Sequence, residues 1–166
     1  ITVNGTLTTT TGGTLNLGVN QLLGTLNTIA HNGTIQTQNT SATPFTPGKA
    51  WGGTIVFNGS AAQSIPESTF ANLTLNIASG ASIAGNVTVS GTLTNNVGIG
   101  GLIIKSDASG TGSLIHNTSG VAASIGRYVS GGWSSWDAGW HILSSPVASQ
   151  AISGFSTSGA NNGYDL

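Results

Sequence analysis

Few side chains in this chain are able to do acid–base, metal or ionic chemistry. The carboxylates are Glu67, Asp107, Asp137 and Asp165, the cations Lys49, Lys105 and Arg127, and the imidazoles His31, His116 and His141. Paired acid–base catalysis needs two carboxylates, or a carboxylate and a histidine, in one site. Glu67 and Asp107 lie 40 positions apart. In a stacked fold with coils of about twenty residues that is two rungs, about 10 Å at a spacing of about 4.8 Å. The separation is slightly wide even for an inverting glycosidase pair. No further acids cluster with them, as the calcium chemistry of solenoid polysaccharide lyases would need. The histidines lack adjacent acids or cysteines, whereas a metal site draws on three or four convergent ligands. All three histidines are therefore read as loop or corner residues. The chain is expected to be non-catalytic, with no metal and no cofactor.

Asp107 and Arg127 stand 20 positions apart, one coil. Stacked, they would close the C-terminal end of a solenoid as an ion pair; otherwise they are two separate solvated charges, since surface pairs are often energetically silent. The aromatic residues Tyr128, Trp133, Trp136 and Trp140 offer a different chemistry. Rings in a Gly/Ser context stack on sugar faces, and large rings also seal an open coil end, because they bury much area. The capping role is the favoured expectation, with Trp133 and Trp136 the more exposed rings and Trp140 in the core.

The elements that must position these residues are read from composition and period. Of 166 residues only 4% are charged, against about 25% in an ordinary domain, and the net charge is −1. Gly, Thr, Ser and Asn fill the gap. Low net charge with recurrent Val, Ile and Thr argues for an ordered β chain, because disorder goes with high net charge and few β-branched residues. Three scattered cations cannot neutralise a phosphate backbone, so no nucleic-acid partner is expected. No apolar run approaches the roughly 18 to 20 residues that span a bilayer. Cysteine is absent, which leaves no disulfides.

A repeat of about twenty residues organises the chain. Gly13-Thr14-Leu15-Asn16-Leu17, Gly33-Thr34-Ile35-Gln36-Thr37 and Gly53-Thr54-Ile55-Val56-Phe57 begin 20 positions apart, and Leu73-Thr74-Leu75-Asn76-Ile77 follows. Gly91-Thr92-Leu93-Thr94-Asn95 and Gly112-Ser113-Leu114-Ile115-His116 continue the series at spacings of 18 and 21. A fixed short period marks a stacked architecture. Alternating apolar and polar residues give short half-buried strands, and Gly and Asn supply the corners. The expected fold is all-β: a right-handed parallel β-solenoid over residues 1–120, roughly six coils and close to 30 Å long. An aromatic-rich C-terminal β segment follows over residues 121–166, as a cap or the start of a further β domain. The segment Ser41 to Trp51, with Pro44 and Pro47, is expected to leave one coil corner as a loop, and Pro66-Glu67 to mark a second. The Asn-x-Ser/Thr sequons at Asn4, Asn32, Asn39, Asn58, Asn72, Asn86 and Asn117 read as coil corners. Thr-x-Thr does not recur in consecutive coils, as an ice-binding ladder requires.

The series Gly112-Ser113-Leu114-Ile115-His116-Asn117, Arg127-Tyr128, Gly139-Trp140-His141-Ile142-Leu143-Ser144-Ser145-Pro146-Val147 and Tyr164-Asp165-Leu166 resembles a pattern in large secreted surface proteins of Bacteroidetes-type bacteria. Those proteins carry Gly/Thr/Asn-rich repeats, then an R-Y and G-W-H-x-L-S-S-P-V segment, and end in a type IX secretion sorting domain. The resemblance implies export and an adhesin-like or matrix role, and it brings no catalytic residues. The opening Ile1-Thr2-Val3-Asn4-Gly5-Thr6-Leu7 already reads as repeat, so targeting segments are expected outside the sequence given.

The functional expectation is a non-catalytic structural or adhesin-like segment, extracellular or on the cell surface, forming a rigid rod. Two alternatives stand beside it. One is a carbohydrate-binding module acting through exposed tryptophans on extracellular polysaccharide. The other is a filament subunit that binds itself head to tail.

Overall fold

Along each short run Leu, Ile and Val alternate with Thr, Ser and Asn, and the apolar members turn inward. In the computed structural model, which describes residues 1–128, these runs are short strands. They are β1 (Thr6–Thr9), β2 (Thr14–Asn16), β3 (Thr28–His31), β4 (Thr34–Thr37), β5 (Ala50–Phe57), β6 (Gln63–Ile65), β7 (Ser68–Leu75) and β8 (Ala81–Ile83). There follow β9 (Asn86–Val89), β10 (Leu93–Asn95), β11 (Leu102–Ile104), β12 (Ser106–Asp107), β13 (Gly110–Thr111), β14 (Ser113–His116) and β15 (Ser124–Ile125). Every pairing between them is parallel except β12 with β13. The described residues form a parallel β-solenoid of about six turns, one compact unit over Ile1–Tyr128. The expected aromatic C-terminal segment, including Trp133, Trp136 and Trp140, lies outside the described residues.

Each coil passes through three walls. The first holds β6, β8, β11 and β15 in register, with the column Ile65, Ile83, Ile104 and Ile125. The second holds β1 and β3, then the leading halves of β5 and β7, then β9 and β14. The third holds β2, β4, the trailing halves of β5 and β7, and β10. In the third wall Leu15, Ile35, Ile55, Leu73 and Leu93 form one interior column across consecutive coils. This column is the Gly-Thr-Leu period of the sequence made physical.

Glycine sets the corner before that wall. The corners of successive coils sit directly on each other, and a Cβ on Gly53 would lie 2.4 Å from the carbonyl oxygen of Gly33. Gly53 also has φ 48°, a conformation that side chains resist. Amide side chains tie other corners together. Asn4 Oδ1 accepts from the Thr25 N–H at 3.1 Å, and Asn72 Nδ2 donates to the Gly53 carbonyl at 3.0 Å. Gln63, only 2% exposed, accepts from the Gly59 N–H and donates to the carbonyls of Thr37 and Asn39. The Gln63 bonds satisfy buried polar groups that would otherwise carry a penalty.

Two sequence expectations are corrected here. Ser41 to Trp51 is not a loop outside the coil. Phe45 pairs with Leu22 in the first wall, the Leu22 N–H donates to the Pro44 carbonyl, and the Thr46 N–H donates to the Leu22 carbonyl. The ladder uses the Pro44 oxygen and needs no N–H there, so proline is tolerated. Phe45, Trp51 and Phe57 then enter the core from the first, second and third walls of one coil. The Phe45 and Trp51 rings are 5.2 Å apart, and Phe45 meets Phe57 edge-on at 5.8 Å, within the favoured range for aromatic pairs. One coil's cross-section is thus filled by rings. Likewise Pro66 is buried, and Pro66-Glu67 is a tight corner between β6 and β7.

The second correction concerns phase. Gly112-Ser113-Leu114 looks like a further copy of Gly91-Thr92-Leu93, but Leu114 stacks on Val87 in the second wall, not on Leu93 in the third. The β12–β13 hairpin causes the slip. Ser113 pairs with Asn86 at a separation of 27 residues, whereas Ser90 meets Phe70 at 20. The stack itself continues to Ile125, where β15 pairs with β11.

Candidate functional site

The corner between the first and second walls gathers most of the described ionisable groups. Thr25, Lys49, Glu67, Asn86 and the β12–β13 hairpin follow one another there, coil by coil. The backbone fixes this order. The Gly48 N–H donates to the Glu67 carbonyl at 2.7 Å and the Thr69 N–H to the Lys49 carbonyl at 3.0 Å. Ser68 is in register with Val87, so Glu67 lies beside Asn86. The Ser113 N–H donates to the Gly85 carbonyl at 2.9 Å, setting the next coil in place.

Lys49 Nζ donates to the Thr25 carbonyl at 2.6 Å, which holds the ammonium along the stack and leaves it further donors. Glu67 lies over Gly85, where a Cβ would come within 3.2 Å of Glu67 Cβ and Oε2. Asn86 Oδ1 accepts from the Ser113 hydroxyl at 2.9 Å, which leaves its NH2 group with donors to spare. On the adjoining outer face Ala50, Thr69, Thr88 and Ile115 form one column. A shallow groove of about 300 Å³ runs over Lys49, Ala50, Glu67, Thr69, Asn86 and Thr88. At its far end the chain leaves the wall: Lys105 N–H still donates to the Ile83 carbonyl, β12 and β13 turn outward, and the Gly112 N–H rejoins at the Lys105 carbonyl.

The expected site residues distribute as follows. Glu67 and Asp107 share this corner, two coils apart, but the hairpin carries Asp107 out of the wall, so rung spacing does not set their separation. Asp107 Oδ1 accepts from the hydroxyl and the N–H of Ser109. The Ser109 hydroxyl, its N–H and the nearby Lys105 charge hold the Asp107 carboxyl below its ordinary range. Arg127 follows Gly126, whose N–H donates to the Ile104 carbonyl, and precedes Tyr128, whose N–H donates to Ser106 Oγ at 2.9 Å. The ladder thus aligns Arg127 with Ser106 of the hairpin. Tyr128 is 45% exposed. Trp133, Trp136, Trp140 and His141 are outside the described residues.

His31 is a corner residue by sequence, but the structure places it at the end of β3 with 2% exposure. Its Nδ1 meets Thr9 Oγ1 at 2.6 Å and its Nε2 meets the Thr54 carbonyl at 3.3 Å. Because a carbonyl only accepts, Nε2 carries the proton and Nδ1 accepts from the Thr9 hydroxyl. That hydroxyl in turn accepts from the Gly33 N–H at 3.1 Å. Burial lowers the His31 pKa, and the Thr54 bond opposes it. A neutral imidazole thus bridges three successive coils.

Thr69, Thr88 and Asn86 carry no site signal in the sequence by themselves. The signal was present as a recurrence of Thr one coil apart, but it becomes visible only once β7 and β9 are in register. Among the described residues no group of three or more His, Asp or Glu side chains converges as metal ligands, and no helix is long and apolar enough to cross a membrane. Comparison with protein-family models, curated proteins and solved structures finds no match to this chain.

Proposed function

We propose that this chain is a non-catalytic structural, adhesin-like segment of an exported bacterial surface protein, and that the solenoid serves it as a rigid rod. The observation that carries the reading is the unbroken register of the third wall, Leu15 to Leu93 through consecutive coils. A deformation along this wall must break its backbone hydrogen bonds and open the column of Leu and Ile behind them. Such a body transmits force and holds distance, which is what a stalk or matrix element does. Corner amides that donate to the next coil add to this stiffness. A surface location and export of the type IX kind rest on the resemblance of residues 112–147 to secreted Bacteroidetes-type proteins. The partners that suit the reading are extracellular polysaccharide and further copies of the chain.

Negative-stain electron microscopy of the purified chain across a concentration series tests the role. Discrete short rods at every concentration are the expected result. Long regular fibres would replace the stalk with a self-assembling filament. Immunogold labelling of source cells tests the location, with label at the cell surface expected and label confined to the cell interior contradicting it.

A further inference from the structure

We propose that the groove along the corner between the first and second walls binds an uncharged glycan chain laid parallel to the stack. This goes beyond the rod reading and does not depend on it. Lys49, Glu67 and Asn86 occupy consecutive coils, so a ligand running along the corner meets an ammonium, a carboxylate and an amide at steps of about 4.8 Å. Repeating ligands suit repeating sites.

Sugar hydroxyls both donate and accept, so their receptors need both functions side by side. Glu67 offers acceptors only, Lys49 donors only, and the Asn86 NH2 further donors. Among the described residues the Glu67 carboxylate, the Asn86 NH2 and the hydroxyls of Thr69 and Thr88 make no side-chain hydrogen bond, while Asn86 Oδ1 and Lys49 Nζ are each fixed by one. Lys49 and Asn86 are therefore held in place, and all of these groups have capacity to spare.

Lys49 and Glu67 cancel within the groove, and Lys105, Asp107 and Arg127 at its hairpin end add only one net positive charge, too little to select a polyanion. The outer column above Thr88 ends in Ile115, 65% exposed, an apolar surface suited to the C–H face of a sugar ring. Tyr128 is tied through its backbone to the hairpin at the same corner, where its ring is available for stacking. The hairpin ends the strip and gives the chain a direction.

The test is a titration of the full 166-residue chain, 15N-labelled, with cellohexaose, xylohexaose, mannohexaose and chitohexaose, read by amide chemical shifts. At least one of these is expected to move the amides of Lys49, Glu67, Thr69, Asn86 and Thr88 as a single saturable set. Glu67→Gln and Asn86→Leu should each weaken that binding by about three- to tenfold, the effect of one lost hydrogen bond, with the rest of the spectrum unchanged. Hexagalacturonate should bind more weakly than the best neutral chain. Silence of these amides with every neutral hexasaccharide would overturn the proposal, as would shifts confined to other parts of the chain or variants that bind as tightly as the parent.

Discussion

The middle coils and the last described coil of this solenoid solve the same packing problem differently. In the middle, β5 and β7 each run eight residues, crossing from the second wall to the third without a break in the strand. Their coils bury Phe45, Trp51, Phe57 and Phe70 completely or nearly so. In the last coil the second wall is the four-residue β14, with Leu114 only half-buried. Its third wall is not a strand. Thr118 and Ala122 instead take up the edge of β10, accepting from the Leu93 N–H at 2.9 Å and from Asn95 Nδ2 at 2.7 Å. We therefore expect this fold's stability to be local. A coil is as strong as the side chains it sends inward and the neighbours it has on both sides.

The largest expected effect breaks the middle. Phe57→Ala removes a ring from a layer filled from three walls and should cost about 3 to 5 kcal/mol, and Leu75→Ala about 2 to 5 kcal/mol. Leu114→Ala at the last coil should cost less than either. Urea unfolding followed by far-UV circular dichroism checks the order, and equal losses at Leu75 and Leu114 would end the distinction. A backbone contrast comes next. Gly53→Ala meets both a positive φ and the Gly33 carbonyl, and should lose about 1 to 3 kcal/mol. Gly110→Ala, in the hairpin with nothing within 4 Å of the added carbon, should stay within about 0.5 kcal/mol.

A pH effect sharpens the same contrast. His31 is buried between coils with its pKa lowered below 6.5. As pH falls below that ordinary value the unfolded chain takes up a proton that the folded chain resists. The contribution of His31 is therefore intact above pH 6.5 and is lost as pH falls through the folded pKa. His31→Gln should flatten this part of the stability profile, measured by thermal melts at stepped pH. The smallest effect belongs to the hairpin. Its ends are joined by the Gly112 to Lys105 bond, so deleting residues 106–111 should shift stability by about 1 kcal/mol or less, since loop length costs little.

What the sequence makes legible follows from which physical constraint acts locally. The third wall is readable because a Gly corner and an alternating Thr-Leu strand recur at nearly constant length, and both are short-range features. The aromatic layer is not, because Pro44 and Pro47 carry the usual marks of a loop. Only the pairing of Leu22 with Phe45 shows that the ladder avoids their missing N–H groups. The phase slip at Gly112 is hidden for another reason. The walls resemble one another, so a Gly-Ser-Leu unit fits the second as well as the third. The groove suffers most from this. Lys49, Glu67, Asn86 and Thr88 are unremarkable in sequence, and register alone assembles them.

That register is the central claim, and the absence of native cysteine allows it to be measured directly. Thr74 and Thr94 are partners on the outside of adjacent coils. A Thr74→Cys, Thr94→Cys variant should oxidise to an intramolecular disulfide, because neighbouring rungs bring the Cα atoms within the roughly 4.4 to 6.8 Å that a disulfide spans. A Thr74→Cys, Asn96→Cys variant, displaced by two residues along the strand, should not. Selective closure of the first pair, read as a mobility shift that reductant reverses, is the predicted result. Failure of the first pair, or equal closure of both, would contradict the parallel stack.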